Sequence, residues 1–260
     1  MNLRPFGYPI QKRLGGLKLS SVKILGIPIE VGKSGELFSK CKEYVGKGGA
    51  ICTPNPIILT NAVGNCGLKR ALLSADLCIP DGSGLLPYLR KADPKAELLP
   101  GVELGERLVS VKRGLSIGLV GGTDGVARQA FSYLAARAEG LRASFILGGY
   151  ETPLSDLLSA VKEERPDLCY ICLGSPKQEI LMRSLRAYSP KTLFLGLGGS
   201  LDVYAGKVKR APKAMQKMHL EWLYRMLCEP RRFAALPSLL RFPLLQMRYC
   251  KETDNVTKKA

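Results

Sequence analysis

Two polar residues follow separate apolar segments in the first third of this 260-residue chain. Thr53 comes directly after "AIC", and Asp81 follows "DLCIP". If these segments are neighbouring parallel strands, both side chains emerge at the same edge of a sheet, which is where such sheets bind ligands. Asn55 is well placed to cap the helix between them, so the open amide groups of this helix face the same crevice. The alternative is that Asp81 only caps the next helix.

Two further turns have the composition of phosphate-binding sites. The segment "LVGGTDGVA" places Gly121 and Gly122 between a strand and a helix, where free backbone amides and the helix dipole favour an anion. The segment "LGSPKQE" brings Lys177 and Gln178 into the first turn of a helix after a buried strand. Polar residues in a first turn also cap ordinary helices. Spacing alone therefore leaves a binding role and a capping role open.

A third polar turn follows the last apolar segment, in "GLGGSLDVYAGKVKRAP". Asp202 in this turn can bind a hydroxyl group of a ligand, or it can pair with Lys207 or Arg210. The sequence contains no Asp-x-Asp pair and only one histidine, His219, so we expect no metal site, no cofactor and no histidine-based catalysis. If a nucleotide diphosphate leaves during a reaction, helix N-termini and Arg or Lys side chains must offset its charge.

The elements that must position these residues alternate between strand and helix patterns from residue 22 to about residue 198. Most of the apolar runs are continuous, which is typical of parallel strands that are covered on both faces. The predicted fold class is therefore α/β, a Rossmann-like layered sheet that is mostly parallel. The predicted strands are residues 22–31, 50–53, 76–80, 115–121, 143–147, 167–174 and 192–198.

The character of the sequence changes after the last predicted strand. Residues 201–250 show no strand pattern, and their many lysines and arginines are mixed with aromatic residues, leucine and methionine. This mixture is typical of amphipathic helices that lie on an anionic membrane. The alternative is that the aromatic residues pack against the core and the cations are only solvated. The predicted units are an N-terminal extension (1–20), a Rossmann-like domain (21–200), a C-terminal basic helical appendage (201–250) and a tail (251–260).

The composition restricts the class of protein. Hydrophobic residues make up 46% of the chain, which is enough to build a core. The formal net charge of +17 predicts attraction to nucleic acid, an acidic membrane surface or a phosphorylated substrate. We find no signal-peptide pattern, and no apolar run approaches the roughly 20 residues that a membrane-spanning helix needs. We therefore expect a cytosolic protein.

Taken together, the motifs of the chain resemble those of the WecG/TagA/CpsF glycosyltransferases. The combination of P-D-G, G-x-P-K-Q-E and K-x-x-R-A-P followed by E-W-x-x-R is highly specific, and the motifs occur in family order from about residue 20 to about residue 235. The segments that carry the resemblance are "TPNP" (53–56), "SADLCIPDGSG" (74–84), "LVGGTDGVA" (119–127), "LGSPKQE" (173–179), "GLGGSLDVYAGKVKRAP" (196–212) and "LEWLYRMLCEPRR" (220–232).

The resemblance implies an inverting transferase that moves a sugar from a UDP donor, N-acetylmannosamine or a related sugar. The acceptor would be an N-acetylglucosamine linked through diphosphate to a polyprenol. The protein would work peripherally on the inner face of the cell membrane, where its basic appendage would dock on the anionic surface. The product would be a lipid-linked intermediate of a cell-surface polymer such as teichoic acid. The resemblance does not give the oligomeric state.

The resemblance also implies roles for individual residues. Asp81 would be the base that accepts a proton from the attacking hydroxyl group. Thr53 and Asn55 would lie near the sugar or the phosphates, and Gln178 and Asp202 match two further motif positions. The C-terminal arginines that would close over the site and contact the diphosphate are Arg210, Arg225 and Arg232.

The sequence departs from the family pattern at two places near the expected donor site. Leu98 and Leu99 stand in "AELLPG", where many relatives carry an arginine shortly before Pro-Gly. The often observed His-Gly-Tyr is "GGY" here, and Tyr150 is a candidate to stack on a base or a sugar ring. Both departures leave the identity of the donor sugar open.

Two other classes of protein compete with the transferase. A nucleotide-dependent oxidoreductase can have the same fold, but the G-x-G-x-x-G spacing is absent and no acidic residue follows at the usual distance. A basic nucleic-acid-binding protein would suit the net charge, yet the charge is concentrated in a segment that also carries apolar residues. We therefore expect no nucleic-acid partner.

Overall fold

The structure, a computed structural model, describes residues 19–257 except 124, 150–152 and 219, and it describes the backbone alone at 216, 217, 230–232 and 252–257. Eight strands occur in this part of the chain. They are β1 (Ser20–Ile24), β2 (Ile27–Val31), β3 (Gly49–Cys52), β4 (Leu77–Cys78), β5 (Ser116–Gly121), β6 (Arg142–Leu147), β7 (Leu168–Cys172) and β8 (Leu193–Gly196).

Six of the strands form one parallel sheet in the order β4-β3-β8-β7-β5-β6. All carboxyl ends therefore lie at one edge of the sheet. Strands β3 and β4 are neighbours, with Ile51 opposite Leu77 and Cys52 opposite Cys78, so Thr53 and Asp81 do leave the sheet side by side. The prediction of an α/β fold with a mostly parallel sheet is confirmed.

The prediction of one strand over residues 22–31 is wrong. The segment forms an antiparallel hairpin of β1 and β2 instead, with Ile24 opposite Ile27. Leu25 and Gly26 form the two-residue turn, with φ angles of 49° and 81°. Positive φ at both turn residues matches the right-handed twist of a hairpin. The sequence pattern did not show this turn because its first residue, Leu25, is apolar and continues the apolar run.

Helices connect the strands, and two local signals fix the starts of the helices after β3. The side chain of Asn55 accepts a hydrogen bond from the N–H of Ile58, and Asn65 caps the next helix in the same way. The helices are α1 (Ser34–Lys42), α2 (Pro56–Gly64), α3 (Cys66–Ser74), α4 (Leu86–Ala92), α5 (Gly101–Leu108), α6 (Val126–Ala135), α7 (Leu154–Glu164), α8 (Lys177–Leu185), α9 (Ser200–Tyr204), α10 (Lys213–Lys217), α11 (Glu221–Cys228) and α12 (Leu236–Thr257), with 3-10 helices at Ser83–Leu85 and Pro230–Ala235.

The core lies on both faces of the sheet. Alternate residues of each strand point to opposite faces: in β7, Leu168 and Tyr170 join a cluster with α1, α5, α6 and α9, whereas Cys169 and Ile171 join a cluster with the hairpin, α2, α3 and α8. Because both faces are covered by apolar side chains, the strands are apolar along their whole length. The sheet edge with the carboxyl ends is thus held by two packed layers.

The last helix packs against the hairpin, α4 and α2. Gln246 accepts a hydrogen bond of 2.7 Å from the N–H of Leu25 in the hairpin turn. Phe242 is buried, and its ring meets the edge of Tyr88 at a centroid distance of 5.5 Å. Ser238 is hydrogen bonded to Asn61 of α2 at 2.9 Å. One face of α12 is therefore part of the core, as the packing alternative for this segment expected.

The opposite face of α12 carries exposed apolar residues. Leu240, Leu244 and Met247 are 65%, 62% and 56% exposed, and their spacing of four and three residues places them on one side of the helix. Trp222 of α11 is 42% exposed and Phe233 is 48% exposed. Some apolar side chains of the C-terminal segment are therefore buried, whereas others are exposed. None of the helices in the described part of the chain combines the length and apolar character needed to cross a membrane.

Candidate active site

Asp81 lies at the carboxyl edge of the sheet and is hydrogen bonded to the start of a helix. The N–H of Gly101, the first residue of α5, donates to Oδ2 of Asp81 at 3.2 Å. The backbone of Asp81 is held by its own N–H, which donates to the carbonyl of Pro54 at 3.1 Å. The carboxylate therefore sits at the positive end of the α5 dipole, between the strand ends and this helix.

The helix that directly follows Asp81 does not use its side chain. The 3-10 helix Ser83–Leu85 begins after Gly82, and no side chain caps it. Gly82 has a φ of 94°, and a Cβ at this position would lie 3.3 Å from Asn55 Cβ. Glycine therefore lets the chain turn closely against the start of α2. The side chain of Asp81 is left to face α5 instead of its own turn.

The surroundings of Asp81 raise the pKa of its carboxyl group from about 3.8 to about 6, and burial is the largest cause. The hydrogen bond from Gly101 and the charges of Arg225 and Arg210 act in the opposite direction, whereas the charge of Glu221 adds to the increase. A carboxyl group with a pKa near 6 is a stronger base than an ordinary aspartate and is still ionised at neutral pH. This combination suits proton acceptance.

Thr53 follows β3, and its side chain links the end of β3 to the end of β8 at the carboxyl edge of the sheet. Its hydroxyl donates a hydrogen bond of 2.9 Å to the carbonyl of Gly196, the last residue of β8. The hydroxyl oxygen also lies 3.0 Å from where a Cβ on Gly101 would be. Thr53, Gly101 and Asp81 thus form one cluster. Because the hydroxyl proton is used within the protein, Thr53 can act toward a ligand only as an acceptor in this arrangement.

Two of the predicted arginines place positive charge from the C-terminal segment near Asp81. Arg210 lies within 3.9 Å of Glu103 and 4.0 Å of Glu221, and Arg225 lies 3.8 Å from Glu229. Both arginines lower the pKa of Asp81, so their charges act on the carboxylate. The third predicted arginine, Arg232, has its backbone in the 3-10 helix Pro230–Ala235, and its side chain lies outside the described residues.

The glycine turn after β5 forms a second cluster at the same edge. Gly121 has a φ of 110°, and a Cβ there would lie 2.3 Å from the carbonyl oxygen of Cys172. Gly122 has a φ of 75°, which strains any other residue, and a Cβ there would lie only 3.0 Å from Val126. Lys207 donates a hydrogen bond of 3.1 Å to the hydroxyl of Thr123. This turn is therefore tight and has a cation beside it.

Asp202 belongs to this second cluster. It lies in α9 and is half-buried. Its charge helps to raise the pKa of the Cys172 thiol, for which burial is the largest cause, so Asp202 lies near the end of β7. The carbonyl of Asp202 accepts a hydrogen bond from Val208 that closes the loop toward Arg210. Asp202 and the glycine turn therefore both lie near the end of β7.

Gln178 and Lys177 point in different directions at the start of α8. Lys177 is exposed, whereas Gln178 is 2% exposed. Gln178 accepts a hydrogen bond of 3.0 Å from the N–H of Gly198 and donates one of 2.8 Å to Glu179. Its amide therefore fixes the glycine loop between β8 and α9 from inside the protein. A direct contact of Gln178 with a ligand stays a prediction.

Three residues at the site had no role predicted from the sequence. Gly101 supplies the N–H that binds Asp81, and only the Pro-Gly pair at residues 100–101 hinted at a helix start. Glu103 and Glu221 contact Arg210, and Glu221 stands within the E-W-x-x-R motif beside the arginine that the motif predicted. Tyr150, the candidate for stacking on a base or ring, lies outside the described residues.

An open cavity lies elsewhere on the protein. Its volume is about 870 Å³, and none of the predicted site residues line it. The lining residues are Phe38, Lys42, Glu43, Glu106, Arg107, Ser110, Val111 and Arg137. Arg107 stacks over Phe38 at 3.9 Å, and Arg137 pairs with Glu106 at 3.0 Å. Because these charges already have partners within the wall, we assign the chemistry to the Asp81 edge.

No three His, Cys, Asp or Glu side chains lie together as a candidate metal site within the described part of the chain. Metal independence stays a prediction. The eight cysteines form no disulfide with one another in the described part of the chain, Cys169 and Cys172 of β7 included. Both side chains are buried and belong to the core, Cys172 on one face of the sheet and Cys169 on the other.

The fold and the site define an α/β enzyme with a carboxylate, helix N-termini and arginines at one sheet edge. The model of the family described as "Glycosyl transferase WecG/TagA/CpsF family" matches residues 22–255, so the chain belongs to this family. The protein is thus a glycosyltransferase of polysaccharide synthesis. Membership implies in general a nucleotide-sugar donor and a lipid-linked acceptor. It favours the transferase over the oxidoreductase and the nucleic-acid-binding protein.

Proposed function

We propose that the protein transfers N-acetylmannosamine, or a related hexose or uronic acid, from a UDP-sugar to N-acetylglucosamine on a polyprenyl diphosphate. The reaction would invert the anomeric centre and supply cell-surface polysaccharide or teichoic acid synthesis. The observation that carries the proposal is the environment of Asp81, where a half-buried carboxylate with a pKa of about 6 lies among arginine charges. A base and an anion site are what this transfer requires of the protein.

The proposed step needs one carboxylate. The hydroxyl oxygen of the acceptor sugar attacks the anomeric carbon of the donor and forms the new glycosidic bond. The bond from that carbon to the phosphate oxygen breaks, and UDP leaves with the electron pair. Asp81 accepts the hydroxyl proton, which becomes acidic only as the bond forms. The diphosphate leaves without protonation when its charge is offset.

The charge of the leaving diphosphate would be offset by the C-terminal arginines and by helix N-termini. Arg210 and Arg225 support this role because both act electrostatically on Asp81. The tight turn at Gly121 and Gly122, with Lys207 beside it, supports a second anion contact. No metal ion is needed in this proposal, since arginine offers charged, forked donors for phosphate oxygens.

The C-terminal segment would also dock the protein on the inner face of the cell membrane. The exposed apolar side chains of α12 support this, because Leu240, Leu244 and Met247 share one face. Arg241, Arg248 and Lys251 are exposed on the same helix and would contact anionic lipid. Docking would bring the site to its lipid-linked acceptor. The same segment would act as a lid that carries Arg210 and Arg225.

The test is UDP release with a synthetic N-acetylglucosamine diphospho-lipid and three donors in parallel. UDP-N-acetylmannosamine, UDP-N-acetylglucosamine and UDP-glucose are offered without added metal, with and without anionic vesicles. We expect release that requires the acceptor, selects one donor and is faster with vesicles. If no UDP is released with any of the three donors in the presence of vesicles, the proposed donor is overturned. If UDP is released only after a divalent metal is added, metal independence is overturned.

A further inference from the structure

Arg210 is shared by two carboxylates that come from different parts of the fold. Glu103 lies in the first turn of α5, and Glu221 is the first residue of α11. The closest approaches to the guanidinium of Arg210 are 3.9 Å for Glu103 Oε2 and 4.0 Å for Glu221 Oε1. Arg210 therefore connects the core helix that binds Asp81 with the helix that carries Arg225.

These ion pairs offset the charge of Arg210, but they leave N–H donors of its guanidinium without a hydrogen bond. Its Nε is buried and has no hydrogen-bond partner among the described residues. Charge-assisted hydrogen bonds between a guanidinium and an oxygen anion are about 2.7–2.9 Å long. Both carboxylates are too distant for such a bond, since they lie at 3.9 and 4.0 Å. A ligand with phosphate oxygens can meet the arginine with better geometry than either acid does.

The acids and the arginines act on the same carboxylate. The charge of Glu221 raises the pKa of Asp81, whereas Arg210 and Arg225 lower it. Glu103 stands two residues after Gly101, whose N–H is bonded to Asp81. A diphosphate that enters beside Asp81 therefore also approaches Glu103 and Glu221, and like charges repel it. For the diphosphate to bind, both carboxylates must move away from the guanidinium of Arg210.

We propose that Glu103 and Glu221 are positioning residues that hold Arg210 beside Asp81 until the donor binds, and that the diphosphate then displaces them from the guanidinium. The proposal deepens the proposed function and depends on it, because it needs a diphosphate at Arg210. It predicts that the two acids weaken diphosphate binding. Their benefit is that Arg210 is already at the site when the donor arrives.

The experiment measures binding of UDP and of inorganic pyrophosphate by titration calorimetry at low ionic strength. Variants Glu103→Gln and Glu221→Gln keep the side-chain size and remove the charge. We expect each to bind UDP about two- to fivefold tighter, which corresponds to a partly exposed ion pair. Glu106→Gln is the matched control, because Glu106 lies on the same helix but contacts Tyr133 and Arg137; its affinity should equal that of the wild type.

The same substitutions in an Arg210→Gln background separate displacement from simple repulsion. If the acids act through Arg210, their removal gives no further gain once the arginine is absent. A gain that persists in that background, or unchanged or weaker binding in both single variants, overturns the inference. Melting curves confirm that each variant is folded at the temperature of the titration.

The outcomes for the wild type distinguish this inference from the proposed function. If the wild type binds UDP and the variants do not differ, only the inference fails. If it binds pyrophosphate but not UDP, the proposed donor nucleotide fails and the inference is judged on pyrophosphate. If it binds neither, no diphosphate competes for Arg210 and both fail.

Discussion

The N–H of Gly101 lies 3.2 Å from Oδ2 of Asp81, although the residues are 20 positions apart and belong to different elements. This contact places the positive end of α5 on the carboxylate that the chemistry needs. It lowers the pKa of Asp81, but the effect of burial is larger, and the pKa is raised to about 6. The catalytic proposal therefore has consequences for pH dependence and for stability.

We expect kcat/KM to rise with pH up to about pH 6 and to level off above pH 7. The pKa of Asp81 is near 6, and only the ionised carboxylate can accept the proton. Initial rates of UDP release between pH 5 and pH 8 test this. Asp81→Asn should lose about 10²- to 10⁴-fold in rate at all pH values. A flat profile in the wild type would contradict the role of Asp81 as the base.

The same substitution should stabilise the fold at neutral pH. Asp81 has a higher pKa in the folded protein, about 6 against 3.8, so the folded state binds more protons between these values. The free energy of unfolding therefore falls as pH rises through this window, and the loss persists at higher pH. Asp81→Asn should gain about 1–3 kcal/mol at pH 7.5 and almost nothing at pH 4. Denaturant unfolding at both values measures this, and an equal gain at both would contradict it.

Gly105 in α5 should not tolerate alanine. A Cβ there would lie 2.6 Å from the hydroxyl of Tyr204 and 2.8 Å from Leu197. We expect Gly105→Ala to cost about 1–3 kcal/mol and to reduce activity, because α5 carries Gly101. The control is Gly35→Ala in α1, where no atom lies within 4 Å; it should gain about 0.5–1 kcal/mol. Similar melting temperatures for the two variants would refute the packing argument.

The exposed face of α12 should govern binding to membranes. Leu240→Gln with Leu244→Gln removes two apolar side chains that are 65% and 62% exposed. We expect about tenfold weaker binding to anionic vesicles, because partial burial of a leucine in the interface contributes about half of its full transfer energy. Leu73→Gln is the control, since Leu73 is 48% exposed on α3. Vesicle co-sedimentation measures the change, and equal loss in the control would indicate a general effect.

Local patterns in the sequence predicted the sheet because each strand is a short apolar run that both layers cover. They also predicted the cap at Asn55, since Asn before proline is a local signal. The bond between Gly101 and Asp81 depends on how two distant loops meet, and no local pattern contains that information. Gln178 was predicted at the crevice, but the sequence could not show that its amide faces inward to Gly198.

The C-terminal segment shows the same limit. Its composition suggested both packing and exposure, and the structure divides the two among neighbouring residues. Phe242 is 3% exposed, whereas Leu240 and Leu244 are more than half exposed. A helical period separates these positions, but the period alone does not tell which face is covered. The tertiary contact with Tyr88 decides it.

The hydrogen bond from Leu25 to Gln246 joins residues that are 221 positions apart. During synthesis at about 5–20 residues per second, the hairpin turn would emerge roughly 10 to 45 seconds before the helix that covers it. The N–H of Leu25 would be accessible to chaperones throughout this interval, and the apolar surface around Tyr88 would be accessible from the time that it is made. The speed of translation between the hairpin and α12 is thus expected to influence how much of the protein reaches its folded state.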